Sequence, residues 1–155
     1  MLTKGGPAMH SLCKRLAVAL VILPLAASGA AAQEKSLYQR LGGYDAIAGL
    51  FDEFVGRLVQ EEQLKRFFAG HSTSSEMRQR QLVLDLVCQV TGGPCLYIGR
   101  DLKVAHAGLG ITKADWDLVS KRFVDTMINR HVPEREQKEL AAIIVPLEKD
   151  IVEKP

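Results

Sequence analysis

Three histidines, His71, His106 and His131, follow the N-terminal apolar segment of this chain and are its first candidates for chemistry. They lie too far apart in sequence to form the i, i+4 pair of a zinc-binding helix, and the cysteines do not have the spacing of a zinc finger. The sequence also shows no glycine-rich phosphate loop and no G-x-S-x-G elbow, which argues against the common nucleotide-binding and hydrolase sites.

His106 differs from the other two because glycine-rich breaks bound the short segment that carries it, and Leu102 lies four residues before it. From spacing alone, two environments are possible for His106. It is either a core or surface histidine whose ring nitrogens have hydrogen-bond partners, or an imidazole that faces an apolar pocket. The second environment is the one that a haem iron requires on its proximal side.

The first 32 residues have the composition of a targeting segment. They contain three basic residues and no acidic one, and the uncharged run of residues 16–32 ends in three alanines. A basic start, an apolar centre and an A-x-A exit predict a secretory signal peptide that is cleaved near Ala32. An uncleaved membrane anchor is the alternative, although Pro24 and the short apolar run fall below the roughly 20 residues that span a bilayer.

Cleavage would leave residues 33–155 as one domain in the periplasm or outside the cell. This domain carries 17 basic and 18 acidic side chains, whereas the whole chain has a net charge of +2. A near-neutral domain without a basic stripe argues against nucleic-acid binding. In an oxidising compartment we expect Cys88 and Cys95 to form a disulfide; two buried thiols or a redox-active pair are the alternatives. We also expect the mature domain to be a monomer that is free of the membrane.

The hydrophobic pattern predicts an all-α domain. Four long segments have apolar residues at helical spacing, and none alternates in the way that a half-buried strand does. Capping boxes at Thr73/Glu76 and Thr112/Asp115 mark the starts of the second and third helices, and Pro133 suits the first turn of the fourth. A loop-rich stretch with a brief helical segment, about residues 102–107, separates the second and third helices. The predicted long helices span about residues 44–59, 73–90, 112–130 and 133–151.

Several motifs, taken in order, resemble those of group I truncated haemoglobins. The motifs are LYQRLGG at 37–43, Phe54, FFAG at 67–70, GGP at 92–94, Y-x-GRDL at 97–102 and AHAGLGIT at 105–112. The resemblance covers residues 36–152, nearly the whole predicted mature chain. It implies a two-over-two sandwich of four helices around one haem b, with a short, loop-bound segment that presents the proximal histidine.

The resemblance also implies the residues of the haem site. His106 matches the proximal iron ligand, and we expect an acceptor such as a backbone carbonyl to orient its second ring nitrogen. Arg100 and Lys103 flank this segment and are candidates to pair with the propionates, although exposed basic residues need no such role. The remaining matched haem-contacting positions, which plain core packing would explain equally well, are Phe54, Phe68 and Leu102.

The distal side departs from the family pattern at Val55. Many members carry a tyrosine there whose hydroxyl bonds the gas ligand, whereas valine has no donor. Counting back from the GGP motif places Gln79 and Val83 over the iron, with Gln79 as the candidate donor. Counting forward from FFAG shifts the register by three residues, and a glutamine on a solvated face is also compatible with the spacing. The other donors that this shift leaves open are Glu76, Arg80 and Gln81.

The resemblance implies reversible binding of O₂, NO or CO at a histidine-ligated, five-coordinate haem iron, in oxygen binding or transport or in NO detoxification. An NO dioxygenase would need a separate periplasmic electron donor, because no flavin or reductase motif is visible in the sequence. The alternative is a six-coordinate haem protein in electron transfer or peroxidase-like chemistry, with His71 as the sixth ligand. A haem-free structural domain is a third hypothesis.

Overall fold

In the computed structural model of the protein, which describes residues 34–154, the chain folds almost entirely into helices. Within that range the one β-type pairing is a parallel bridge between Thr112 and Lys154. The prediction of an all-α domain is confirmed. The predicted signal peptide, residues 1–32, lies outside the described residues. Among the helices that are described, none is long and apolar enough to cross a membrane.

The four long helices expected from the hydrophobic pattern are α2, α3, α5 and α6, and the brief segment that carries His106 is α4. The bounds are α1 Leu37–Arg40, α2 Gly43–Leu58, α3 Thr73–Val90, α4 Leu102–His106, α5 Lys113–Asn129, α6 Glu134–Ile144 and α7 Glu148–Ile151, with 3₁₀ turns at Lys65–Phe67 and Val145–Leu147.

Helix α2 is the central element of the core because it packs on α3 with one face and on α5 and α6 with another. Burial of these apolar faces is the main force that holds the helices together. Toward α3, Ile47 packs with Leu84, and toward the other side Leu50 packs with Met127 and Leu140.

The start of α3 differs by one residue from the predicted capping box at Thr73 and Glu76. The hydroxyl of Ser72 accepts a hydrogen bond from the Ser75 backbone N–H at 3.2 Å, so the cap is Ser72. Both residues carry a hydroxyl that can cap a helix, which explains the misplacement.

The last predicted helix, residues 133–151, is wrong as a continuous element. Helix α6 ends at Ile144, and a 3₁₀ turn at Val145–Leu147 separates it from α7. Pro146 lies in that turn, and its lack of an N–H removes one bond of a regular helix. After this break, α7 packs against α4, the helix that carries His106.

A Cys88–Cys95 disulfide joins the end of α3 to the loop that leads toward α4, in agreement with the predicted pairing. Cys88 is fully buried. The Gly93 N–H donates to the Cys88 carbonyl at 2.7 Å, which closes the turn inside the disulfide loop. A Cβ at Gly93 would lie 2.6 Å from the Cys88 sulfur, so this turn requires glycine.

Candidate functional site

A cavity of about 570 Å³ lies between α3 and the segment that carries His106. Pockets for cofactors and small ligands typically have volumes of roughly 300–1,000 Å³ and mostly apolar walls. This cavity has such walls. Its larger apolar lining residues include Leu64, Phe67, Phe68, Leu86, Trp116 and Val119.

His106 is half-buried and lines this cavity at the last position of α4. The Asp101 side chain caps α4 by accepting from the Lys103 N–H at 3.0 Å. His106 Nδ1 lies 2.7 Å from the carbonyl oxygen of Leu102, one turn earlier. Because a carbonyl can only accept, Nδ1 carries the proton and Nε2 keeps the lone pair that binds a metal.

The opposite wall is one face of α3. Gln79 and Val83, both expected above the iron, lie on this wall; Gln79 is exposed and Val83 is half-buried. The wall is polar toward the start of the helix and apolar toward its end. Its residues recur at intervals of three and four, namely Ser75, Arg78, Gln79, Leu82, Val83 and Leu86.

The structure turns two of the alternative distal donors away from the cavity. Arg80 makes a two-point ion pair with Asp52, with distances of 2.6 and 2.8 Å, which ties α3 to α2. The hydrogen bond from Arg80 lowers the pKa of the Asp52 carboxyl. Gln81 donates to the Tyr44 hydroxyl at 3.0 Å.

Glu76 is exposed and, like Arg80 and Gln81, is not among the described residues that line the cavity. Of the four candidate donors, Gln79 is therefore the one that the structure places on the cavity wall. This placement follows the register counted back from the GGP motif.

Phe68 and Leu102 line the cavity with His106, whereas Phe54 lies elsewhere. The Phe54 ring packs edge to face on Phe123, with ring centroids 5.3 Å apart and planes at 74°, in the contact between α2 and α5. Helix α2 reaches the described cavity wall through Leu58.

Val55 is half-buried and, within residues 34–154, does not lie on the cavity wall. Of the two basic residues proposed for the propionates, Arg100 lies on that wall and Lys103 does not. His71, the candidate sixth ligand, is exposed and lines the cavity from the loop just before α3.

Asp115 is a buried cavity residue for which the sequence predicted only a capping role. Its carboxylate accepts hydrogen bonds from Gln63 Nε2 at 2.8 Å and from the Thr112 N–H at 2.9 Å, and it pairs with Arg66. Burial raises the pKa of Asp115, but the hydrogen bonds from Gln63 and Thr112 and the charge of Arg66 outweigh burial and lower it to about 2. Asp115 thus anchors the segment before Phe67 to the start of α5.

Residues 34–154 contain no group of three or more His, Cys, Asp or Glu side chains that could hold a metal ion. A haem iron would need only one ligand from the protein, since the porphyrin nitrogens supply the others. A single imidazole with a free Nε2 beside an apolar cavity fits that group.

A helical domain with one oriented histidine across an apolar cavity from a long helix is the arrangement expected of a haem-binding globin. This chain belongs to the bacterial-like globin family, whose model matches residues 36–153. The resemblance to group I truncated haemoglobins and the two-over-two fold are both confirmed by the following relatives.

The group 1 truncated hemoglobin GlbN of Mycolicibacterium paratuberculosis is 31% identical over 120 residues, which cover 77% of this chain and 86% of that protein. GlbN of Nostoc commune is 31% identical over 97 residues, which cover 63% of this chain and 80% of that protein. The fold is similar to the crystal structure of the 2/2 hemoglobin from Synechococcus with covalently attached heme, with a TM-score of 0.69, 26% identity, and coverage of 76% of this chain and 98% of that chain.

Proposed function

We propose that the protein holds one haem b in this cavity through His106 and reversibly binds O₂, NO or CO on the side of α3. The observation that carries the proposal is the 2.7 Å contact from His106 Nδ1 to the Leu102 carbonyl, which leaves Nε2 as the ligand atom on the cavity wall. When bound, haem supplies an iron that binds diatomic gases and changes its oxidation state.

The other cavity residues would hold the group by complementary chemistry. Phe68 and Leu102 offer apolar contact to a flat macrocycle. Arg78 and Arg100 line the same cavity and carry the positive charge that pairs with carboxylates such as propionates. Gln79 offers an amide N–H to a gas ligand on the side of α3.

A six-coordinate haem protein is the second candidate, because His71 lines the same cavity as His106. Such a protein would suit electron transfer or peroxidase-like chemistry more than gas storage. The two candidates predict different ferrous spectra, five-coordinate high-spin for the first and six-coordinate low-spin for the second.

The experiment starts with the absorption spectrum of the purified protein. We expect a Soret band, and its absence would contradict haem binding. His106→Gly should abolish stable haem retention, or leave a haem that regains its spectrum only with added imidazole. Unchanged haem content and an unchanged ferrous spectrum in this variant would contradict the ligand assignment.

His131→Gly is the matched control. His131 is exposed and has a φ of 54°, a left-handed conformation that glycine adopts readily. Haem content and spectrum should therefore stay at the wild-type level. A low-spin wild-type spectrum that becomes five-coordinate in His71→Ala would favour the second candidate.

We further propose export to the periplasm, supported by the composition of residues 1–32 and by the Cys88–Cys95 disulfide, a bond typical of oxidising compartments. There the protein would act as a monomer, and NO dioxygenase turnover would require a separate electron donor. Protein from the native host should begin near Gln33 and show no free thiol when denatured without reductant. An N-terminus at Met1 or Met9 would instead favour an anchored protein.

A further inference from the structure

The chain makes a tight glycine turn directly after His106. Gly108 and Gly110 have φ values of +84° and +65°, in the left-handed region. A Cβ at Gly108 would meet no described atom within 4 Å, so backbone conformation rather than crowding favours glycine there. The Leu109 N–H donates to the His106 carbonyl at 3.2 Å, so this turn fixes the end of α4.

The carboxylate of Glu153 holds this turn from the far end of the sequence. One of its oxygens accepts from the Gly108 N–H at 2.6 Å, and the other accepts from the Gly110 N–H at 2.5 Å. Both hydrogen bonds lower the pKa of Glu153, and the one from Gly108 has the larger effect. Neighbouring N–H groups that converge in this way form an anion-binding nest, here filled by a side chain of the same protein.

Main-chain bonds fix the residues around Glu153 to the same turn. The N–H groups of Glu153 and Lys154 donate to the Ile111 carbonyl at 2.9 and 3.2 Å, and the Lys113 N–H donates to the Lys154 carbonyl at 3.0 Å. Ile111 and Ile151 also line the cavity. We name residues 151–154 the C-terminal clasp.

We propose that Glu153 is a positioning residue for the proximal histidine: its carboxylate fixes the conformation of the Gly108–Gly110 turn and thereby sets the orientation of His106 toward the haem iron. This inference rests on the proposed role of His106 as the iron ligand. Glycine has the greatest backbone freedom of any residue. Without the carboxylate, two glycines that follow the ligand would be free to change conformation, and the position of the imidazole would vary.

The test uses the haem-loaded protein with Glu153→Ala and Glu153→Gln. Glutamine keeps the shape and one acceptor oxygen but turns an amide NH₂ toward a backbone N–H. We expect haem transfer to apomyoglobin to accelerate by about tenfold in Glu153→Ala, with Glu153→Gln between Glu153→Ala and wild type. This is the lower end of the roughly 10–100-fold change in affinity that is typical when a partner that orients a metal ligand is removed.

The second readout is the iron–histidine stretching band, recorded just after CO is removed by a light flash so that the result does not depend on the resting coordination. The band should shift or broaden in both variants. Glu148→Gln is the matched control, because Glu148 lies in α7 and pairs with Lys113 at 3.7 Å. It should leave the band and the haem transfer rate at wild-type values.

Thermal unfolding separates positioning from plain stabilisation. If Glu153→Ala lowers the melting temperature but leaves both the band and the transfer rate unchanged, Glu153 is merely structural and the inference is overturned. If His106→Gly itself leaves the spectrum unchanged, the proposed ligand is wrong and the inference falls with it. If His106→Gly loses its haem as expected but both Glu153 variants behave like wild type, only the proposed positioning role of Glu153 is overturned.

Discussion

The two walls of the cavity are held in place to different degrees. The His106 segment, residues 101–115, is hydrogen-bonded to distant parts of the chain both at its glycine turn and at its C-terminal end. Glu153 binds Gly108 and Gly110, and Asp115 binds Gln63. Because these ties come from residues 43–52 positions away in sequence, the wall that carries the proposed ligand cannot move without breaking several of them.

The N-terminal half of α3, residues 73–81, is exposed at every position except Arg80, which is half-buried. Its long-range side-chain ties in the described structure are the ion pair of Arg80 with Asp52 and the hydrogen bond of Gln81 with Tyr44. A wall held this lightly is suited to movement, while its Gln79 side chain still reaches the cavity.

The two walls of the proposed site therefore have different tasks. A ligand atom that binds iron must keep one position, and the His106 segment supplies that rigidity. In the proposed function a small gas molecule must also enter and leave, and the lightly held half of α3 is the wall suited to that movement. Substitutions of cavity-lining residues should therefore change stability most on the first wall and ligand kinetics most on the second.

The largest effect is expected at Asp115, whose side chain is only 2% exposed. Its pKa of about 2 lies below the 3.8 of an ordinary aspartate. A lowered pKa stabilises the fold above the ordinary value, and this stabilisation disappears as the pH falls from about 4 toward 2. The difference corresponds to about 2 kcal/mol at neutral pH. Asp115→Asn should lose that amount at pH 7, and its unfolding free energy should depend less on pH between 4 and 2.

Urea unfolding at pH 7, 4 and 3 measures this prediction. Asp117→Asn is the control because Asp117 lies on the same helix, is exposed and pairs with Lys113. We expect a much smaller change there. Equal losses in the two variants would show that the Asp115 contacts do not hold the His106 segment, and the contrast between the walls would fail.

The elements were predictable where the determining residues are close together in sequence. The apolar stripe placed α2 at 44–59 against the observed Gly43–Leu58, and the capping box at Thr112 placed the start of α5. The break at Pro146 is also a local feature. The predicted helix ran through it because the apolar stripe continues past the proline. His106 was identified by its short segment and by the family resemblance.

The contacts that support the site were not predictable in this way. Gln63 and Arg66 meet Asp115 across 52 and 49 residues of sequence, and only the packed fold brings them together. Glu153 had no distinguishing pattern among the charged residues near the C-terminus. For Phe54 the resemblance implied a haem contact, and this stays a prediction; in the structure its ring packs on Phe123 and is not among the described residues that line the cavity.

A smaller effect is expected on the α3 wall, from Gln79→Leu. One hydrogen bond to a gas ligand is worth about 1–2 kcal/mol, which corresponds to roughly tenfold in O₂ release. Gln79→Leu should therefore speed O₂ release by about tenfold and change CO release much less, because bound CO is a weaker acceptor. Flash photolysis and stopped-flow mixing measure both rates.

Gln81→Leu is a close control, since it makes the same chemical change two residues away on the same helix. Gln81 binds Tyr44 and Asp85 outside the cavity, so the O₂ release rate should not change. If Gln81→Leu speeds release and Gln79→Leu does not, the register of α3 over the cavity is shifted from the one described.

The smallest effect is expected from Arg80→Met, which removes the ion pair that ties α3 to α2. Both side chains are well exposed, 39% for Arg80 and 52% for Asp52, so water and salt screen the pair. Exposed pairs typically contribute about 0–1 kcal/mol, and two-point geometry puts this pair near the upper end, so Arg80→Met should lose about 1 kcal/mol in urea unfolding at low salt. In about 1 M salt the difference from wild type should nearly vanish, while O₂ release should stay unchanged under both conditions. A loss as large as that of Asp115→Asn would mean that the N-terminal half of α3 is held as firmly as the His106 segment. Gas molecules would then have to reach the cavity by a route other than this half of α3.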